Sequence, residues 1–210
     1  MSSSSATTSP RKSYAKSAGV RQRILDACIE AFGQSGFYGA TMKDIAARAG
    51  MSHTGLLHHF PTKESLLVAV LSYRDERSTA VTRDALEKLG ETPGNSVRSM
   101  LAAVVSNELE PGLAALHASL SAEATTPEHP AYEYFRDRYR IFRDYYEDRF
   151  LEMSEQGLLS TSMTPRALAY TFVAILDGLE VQWLYAQDEF RMEDVFEEFL
   201  ASISPALKPA

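Results

Sequence analysis

A single cysteine, Cys28, in a chain of 210 residues excludes an intramolecular disulfide framework and suits a reducing compartment. There is no uninterrupted run of 18 apolar residues, and the Ser/Thr-rich start lacks the apolar segment of a signal peptide. The expectation is a cytoplasmic protein with no membrane partner. Catalytic signatures are missing as well: no HExxH, no GxSxG, no Walker loop and no GxGxxG. His58 and His59 are adjacent, which on a helix sets them about 100° apart. His53 lies five residues before His58, and neither spacing builds the one-face pair of a metal site. Cys28 sits on an apolar stripe and reads as a small buried hydrophobe rather than an activated thiol. The sequence therefore predicts no enzyme, no catalytic residue, no metal and no cofactor. Period-two alternation bounded by hairpin turns is also lacking, and no repeat is evident, so the fold class is all-α.

The net charge of −7 is unpromising for a nucleic-acid binder until it is divided along the chain. Residues 1–63 hold eight Lys/Arg against three Asp/Glu, a balance of +5; residues 64–210 hold thirteen against twenty-five, a balance of −12. Basic groups gather in the one segment that would face phosphates. Residues 1–17 carry almost no large apolar group and read as a disordered basic leader, with Arg11, Lys12 and Lys16 available to a groove or phosphate.

Thr41 to Phe60 carries the chemistry. Thr41 can cap a helix with Asp44 three residues on, in a capping-box arrangement. Ile45, Ala46 and Ala49 form that helix's inner face, and Gly50 can take the left-handed conformation that ends it. Ser52 caps the next helix, where Met51, Leu56 and Phe60 continue the apolar stripe. His53, Thr54, Gly55 and His58 face outward. A short helix that is polar outside and crosses a second one closely is a helix-turn-helix, suited to a DNA major groove.

This stretch resembles the TetR family of bacterial transcriptional regulators. The resemblance runs over residues 18 to 70. It takes in the helix carrying Ile24, Leu25, Ala27, Cys28, Ala31 and Phe32, then Gly36-Phe37 and Ala40-Thr41, and finally Phe60-Pro61-Thr62-Lys63-Glu64-Ser65-Leu66-Leu67. Leu57 and His53 depart from the tyrosine and lysine common at those positions. The resemblance implies an N-terminal three-helix DNA-binding domain followed by a larger helical domain for effector binding and dimerisation. The boundaries read from the sequence are 1–17 for the leader, 18–63 for the helix-turn-helix domain, 64–205 for the helical domain and 206–210 for a tail. The expected DNA contacts are Arg21, Thr41, Met42, Ser52, His53, Thr54, Gly55, His58 and Lys63, with Thr41 and Lys63 meeting phosphate at helix starts.

Beyond Pro61 the pattern is helical throughout. Helices are expected over about 62–88, 96–109, 113 to before 125, 130–156, 165–187 and 192–203, with Pro and Gly punctuating the joints. The segment Ala174 to Trp183 is similar to the penultimate helix of many TetR regulators, whose last two long helices meet their symmetry mates. Its physics agrees, since a helix apolar around much of its circumference must be covered on two sides. The expected homodimer interface is Phe172, Ile175, Leu179, Trp183, Phe196 and Leu200.

Tyr132, Phe135, Tyr139, Phe142, Tyr146 and Phe150 follow three- and four-residue steps, which is mostly core packing. Aromatic rings with polar tips also line cavities for small apolar ligands, and the resemblance implies an effector there. The expected pocket is Leu101, Glu108, His117, Leu120, Tyr139, Phe142, Tyr146, Phe172 and Asp177, with Glu123 a further polar candidate. Arginines 136, 138, 140, 143 and 149, interleaved with carboxylates, read as a solvated ion-paired face. The function read from the sequence is a ligand-responsive DNA-binding regulator, a repressor by resemblance, partnered by double-stranded operator DNA, a second copy of itself and a small apolar or aromatic effector. The competing reading is a helical co-regulator that binds protein and has lost DNA contact.

Overall fold

The computed structural model describes the chain from residue 10 to residue 208, with side chains from residue 18 onward. Among the described residues the structure is helical and without strands. Helix α1 (Pro10–Gly39) starts inside what the sequence marks as leader; residues 1–9 of that leader, and the end of the tail, lie outside the described residues. There follow α2 (Met42–Arg48), α3 (His53–His59), α4 (Lys63–Leu89), α5 (Pro93–Arg98), α6 (Met100–Leu109), α7 (Pro111–Glu123), α8 (Tyr132–Glu155), α9 (Pro165–Tyr185), α10 (Met192–Ile203) and a 3-10 turn, Pro205–Leu207. Ala206 and Leu207 thus belong to a folded turn, with Leu207 buried, rather than to a free tail.

The helix starts follow local chemistry. Thr41, Ser52, Thr62, Thr92 and Thr164 each take extended backbone angles, and each hydroxyl accepts the N–H three residues on. The reciprocal capping box forms at Thr62 and Ser65. At Thr41 the hydroxyl instead donates to the Asp44 carboxylate, at 2.6 Å. The helix expected over 96–109 is two, because α5 begins at the Thr92-Pro93 cap and the chain bends at Ser99.

Two apolar cores share their helices. The first unites α1, α2 and α3 with Leu66, Leu67, Val70 and Leu71 of α4 and with Leu113, Leu116 and Leu120 of α7. The second joins α5, α6 and α8 to α10. Helix α7 lies along α1 more extensively than any other pair of helices packs. The sequence boundary at residue 63 therefore falls on the first residue of a helix that serves both cores.

Helix α9 corrects the expected interface. Among the described residues it is the one helix long and apolar enough, by length and composition, to cross a membrane. Its large side chains are used inside the protomer: Phe172 lies 4.3 Å from the Tyr146 ring, 5.8 Å from Phe150 and 5.3 Å from Phe196. Phe172, Phe196 and Leu200 are inaccessible, Leu179 and Trp183 are buried, and only Ile175 is half-buried. Five of the six expected interface residues have no surface to give to a second copy. Burying each stabilises the protomer itself, by about 1.5–3 kcal/mol. The outward face of α9 carries Tyr170, Ala174, Gly178, Val181 and Tyr185 instead, and Tyr185 is 90% exposed.

Candidate nucleic-acid interface and ligand cavity

Helices α2 and α3 are joined by a turn that needs glycine. Gly50 has φ 66°, in the left-handed region, and the Met51 N–H returns to the Ala46 carbonyl at 3.0 Å, closing the end of α2. The Ser52 hydroxyl then accepts the Gly55 N–H at 3.1 Å and starts α3. Leu56, fully buried, and Phe60 pin α3 to the first core, which leaves His53, Thr54, Leu57, His58 and His59 facing outward. Arg21 is exposed, with its guanidinium 5.0 Å from the centre of the Phe60 ring, so α1 delivers a fixed cation beside the end of α3. Arg23 and Lys43 are exposed as well.

Other expected contacts are engaged locally. The Thr41 and Ser52 hydroxyls serve as caps, Gly55 is half-buried, and half-buried Met42 packs on the first core. Lys63 is turned inward: its ammonium donates to the carbonyls of Phe37 at 2.8 Å and Ala40 at 3.0 Å, and sits 4.4 Å from the Phe37 ring centre. The side chain locks the end of α1 to the start of α4, because the carbonyls that close α1 have no further turn of helix to accept from.

Gly36, Glu123 and His129 complete this junction, and of the three only His129 carries no signal in the sequence pattern. Gly36 breaks α1 with φ 66° and ψ −178°, and a Cβ there would meet Glu123 Oε2 at 2.6 Å. That space is occupied because the Glu123 carboxylate reaches from the end of α7 to accept the N–H groups of Phe37 at 2.6 Å and Tyr38 at 3.1 Å. His129, buried, lies 5.3 Å from both the Phe37 and Tyr38 rings, with Nε2 3.8 Å from Glu123. Glu123, expected near the pocket, is thus a tie between α7 and the DNA-binding helices.

The cavity lies between α4, α6, α7, α8 and α9. Of the expected lining, His117, Tyr139, Phe142 and Asp177 are there; Arg74, Asn107, Leu176, Glu180 and Met192 join them. Leu120 belongs to the first core, Tyr146 and Phe172 are packed in the second, and Leu101 faces a separate groove between α4 and α6. Glu108 accepts the N–H groups of Met192 and Glu193 and so caps α10. The aromatics of α8 fill core, and charged groups make up much of the wall. Arg74 Nη2 is 3.3 Å from Glu180 Oε1, with both side chains buried; Asn107 donates to the same oxygen. Asp177 accepts from the Tyr139 hydroxyl at 2.8 Å and stands 3.2 Å from His117 Nε2. Burial, and then Arg74, lower the pKa of His117. Burial pushes the Asp177 carboxyl up, but hydrogen bonds and charge from His117, Tyr139 and Arg74 outweigh it, and its pKa falls below the ordinary value. The cavity volume is about 50 Å³, well below the several hundred Å³ usual for a ligand site.

Residues 24–70, which take in most of α1, all of α2 and α3 with their caps, and the start of α4, match the model of the bacterial regulatory proteins of the tetR family. The match thus takes in the helix-turn-helix and reaches into the helices on either side of it. The HTH-type transcriptional regulator UidR of Escherichia coli (strain K12) is 29% identical over 175 residues, covering 81% of this chain and 86% of UidR. The HTH-type transcriptional regulator RutR of the same organism is 42% identical over 71 residues, 34% of this chain and 33% of RutR. The fold of AibR, solved in complex with isovaleryl coenzyme A and operator DNA, superimposes with a TM-score of 0.72 at 21% identity, over 89% of this chain and 98% of AibR.

Proposed function

We propose that this protein is a TetR-family regulator that works in the cytoplasm as a homodimeric repressor, gripping an operator through two copies of α3 and releasing it when a small molecule enters the cavity. The observation that carries this reading is the presentation of α3. Its inner face is fixed by Leu56 and Phe60, its outer face offers His53, Thr54 and His58, and Arg21 stands beside it. Histidine and threonine side chains can hydrogen-bond base edges, while Arg21, Arg23, Lys43 and the first N–H groups of α2 meet phosphate. The division into a DNA-binding part over 18–63 and a helical remainder is kept, with α4 as the shared element.

The two copies meet through the outward faces of α9 and α10. Tyr170, Ala174, Gly178, Val181 and Tyr185 recur at helical spacing, and Val195 and half-buried Phe199 extend the strip on α10. Small residues at its centre let a partner helix approach closely. Two routes join cavity and DNA face: α4 runs from Arg74 in the cavity to Lys63 at the junction, and α7 runs from His117 to Glu123. A cavity this small must widen to admit a ligand, which pushes on both helices. AibR, solved with isovaleryl coenzyme A and operator DNA, is a precedent for one such fold holding both. Selection of bound sequences from a random DNA pool tests the reading. Paired, inverted half-sites about 10 base pairs apart, or a multiple, are expected; absence of any enriched sequence would refute it.

A further inference from the structure

The polar wall of the cavity is only partly matched. Arg74 Nε and Nη1, His117 Nδ1 and Glu180 Oε2 are buried and have no hydrogen-bond partner among the described residues. All three residues line the cavity. Their hydrogen-bonding roles follow from the neighbours. Asp177 is an ionised acceptor, so the proton on the neutral His117 ring is the one on Nε2 that faces it at 3.2 Å. His117 Nδ1 is then a bare acceptor. Glu180 Oε1 is taken by Arg74 and Asn107, which leaves Oε2 as a second bare acceptor. Arg74 keeps its proton, being a guanidinium paired with a carboxylate, and offers two unmatched N–H positions. Buried groups of this kind are uncommon unless something satisfies them.

Charge decides what that something is. The lining holds two cations, Arg74 and Arg138, and two anions, Asp177 and Glu180. Arg138 is already held by Asp75. A carboxylate or phosphate entering here meets two carboxylates already in place, and an ammonium meets Arg74, whose own charge is stripped of water. Either would add an unpaired charge to a desolvated site that is internally balanced. An uncharged group that both donates and accepts matches either kind of open position, the N–H groups of Arg74 and the bare acceptors of His117 and Glu180. The rest of the wall is mostly apolar, with Met100, Val104, Phe142, Val173, Leu176 and Met192.

We infer that the cavity takes a compact uncharged molecule whose hydroxyl or amide group donates to His117 or Glu180 and accepts from Arg74, with an apolar body against Met100, Leu176 and Met192. The inference rests on the reading of this cavity as the effector site and narrows it to one ligand class.

The test uses the full chain labelled with ¹³C at the methionine methyls, because Met100 and Met192 line the cavity while Met42 and Met51 report on the DNA-binding helices. Benzyl alcohol, benzoate, benzylammonium and toluene are titrated separately; they share a ring and differ in charge and hydrogen bonding. Benzyl alcohol is expected to shift Met100 and Met192 saturably, with a dissociation constant at least tenfold lower than that of any of the other three. Benzoate or benzylammonium binding as tightly or tighter at those methyls would overturn the uncharged class and leave the cavity standing as a ligand site. Toluene matching benzyl alcohol would show that the polar wall recognises nothing, and would overturn it too. No shift at Met100 or Met192 with any of the four would overturn both this inference and the effector reading of the cavity.

Discussion

Gly178→Leu separates the protomer from the dimer with one side chain. A Cβ at this position meets nothing nearer than the Gln182 Nε2 atom at 4.0 Å, so an isobutyl group extends into open space in an isolated protomer. Gly178 lies inside α9, where replacing glycine by a good helix former stabilises the helix by about 0.8–1 kcal/mol. The protomer therefore gains. At a two-fold interface on this face the same group is inserted twice between helices that small residues allow to approach closely, and overpacking costs about 1–3 kcal/mol per insertion. Across both copies the penalty is about 2–6 kcal/mol, or a dimer dissociation constant weakened between about 30-fold and 10⁴-fold. Sedimentation equilibrium over a range of concentrations gives the constant, and circular dichroism establishes that the variant is folded. A folded monomer at concentrations where the wild type is dimeric is the expected result. Should Gly178→Leu dimerise with undiminished affinity, the outward strip of α9 is not the interface, and the half-site spacing argument loses its scaffold.

Two further outcomes follow from buried contacts. Lys63→Ala removes two hydrogen bonds from a charged donor at the α1–α4 junction, worth about 1.5–3 kcal/mol each; the melting temperature should fall by several degrees, and an unchanged one would show the ammonium to be free. His117 is buried with its pKa lowered, so the unfolded chain binds a proton that the native chain refuses: stability is fully present above the unfolded histidine pKa near 6.5 and declines as pH falls below it, by at most about 1.4 kcal/mol per pH unit for one group. His129 has the same sign, burial outweighing Glu123. Urea midpoints at pH 7.5 and 5.5 should fall in the wild type and fall less in His117→Gln; equal declines would assign the dependence elsewhere.

What the sequence made legible is what local chemistry dictates. Caps at Thr41, Ser52 and Thr62, the left-handed glycine at 50 and the three-and-four spacing of apolar residues each act within a few positions, so their consequences can be read in order along the chain. The partners of Lys63, Glu108 and Glu123 are hidden for the opposite reason. Each is a charged residue whose partner lies 23 to 86 positions away, on carbonyl or N–H groups that no side-chain pattern reveals. The α9 stripe failed in an instructive way. Two-sided apolarity correctly required two covers, but hydrophobicity alone favoured the large residues for the interface, and volume sent Phe172 and Trp183 inward while Ala174 and Gly178 remained outside. The cavity's polarity was similarly hidden, since Arg74 and Glu180 are 106 residues apart and neither stands out on its own helix.

The sharing of α4 and α7 between two cores bears on how such proteins can be recombined. A chimera that grafts residues 1–63 onto the effector half of another regulator would cut α4 at its first residue, take Leu66, Leu67, Val70 and Leu71 away from the first core, and strip Glu123 from the Phe37 and Tyr38 N–H groups. The portable unit is discontinuous: the helix-turn-helix, the first two turns of α4, and the stretch of α7 through His129 that lies against α1. Only when all of these travel together does a transplanted reading head keep the floor on which it stands.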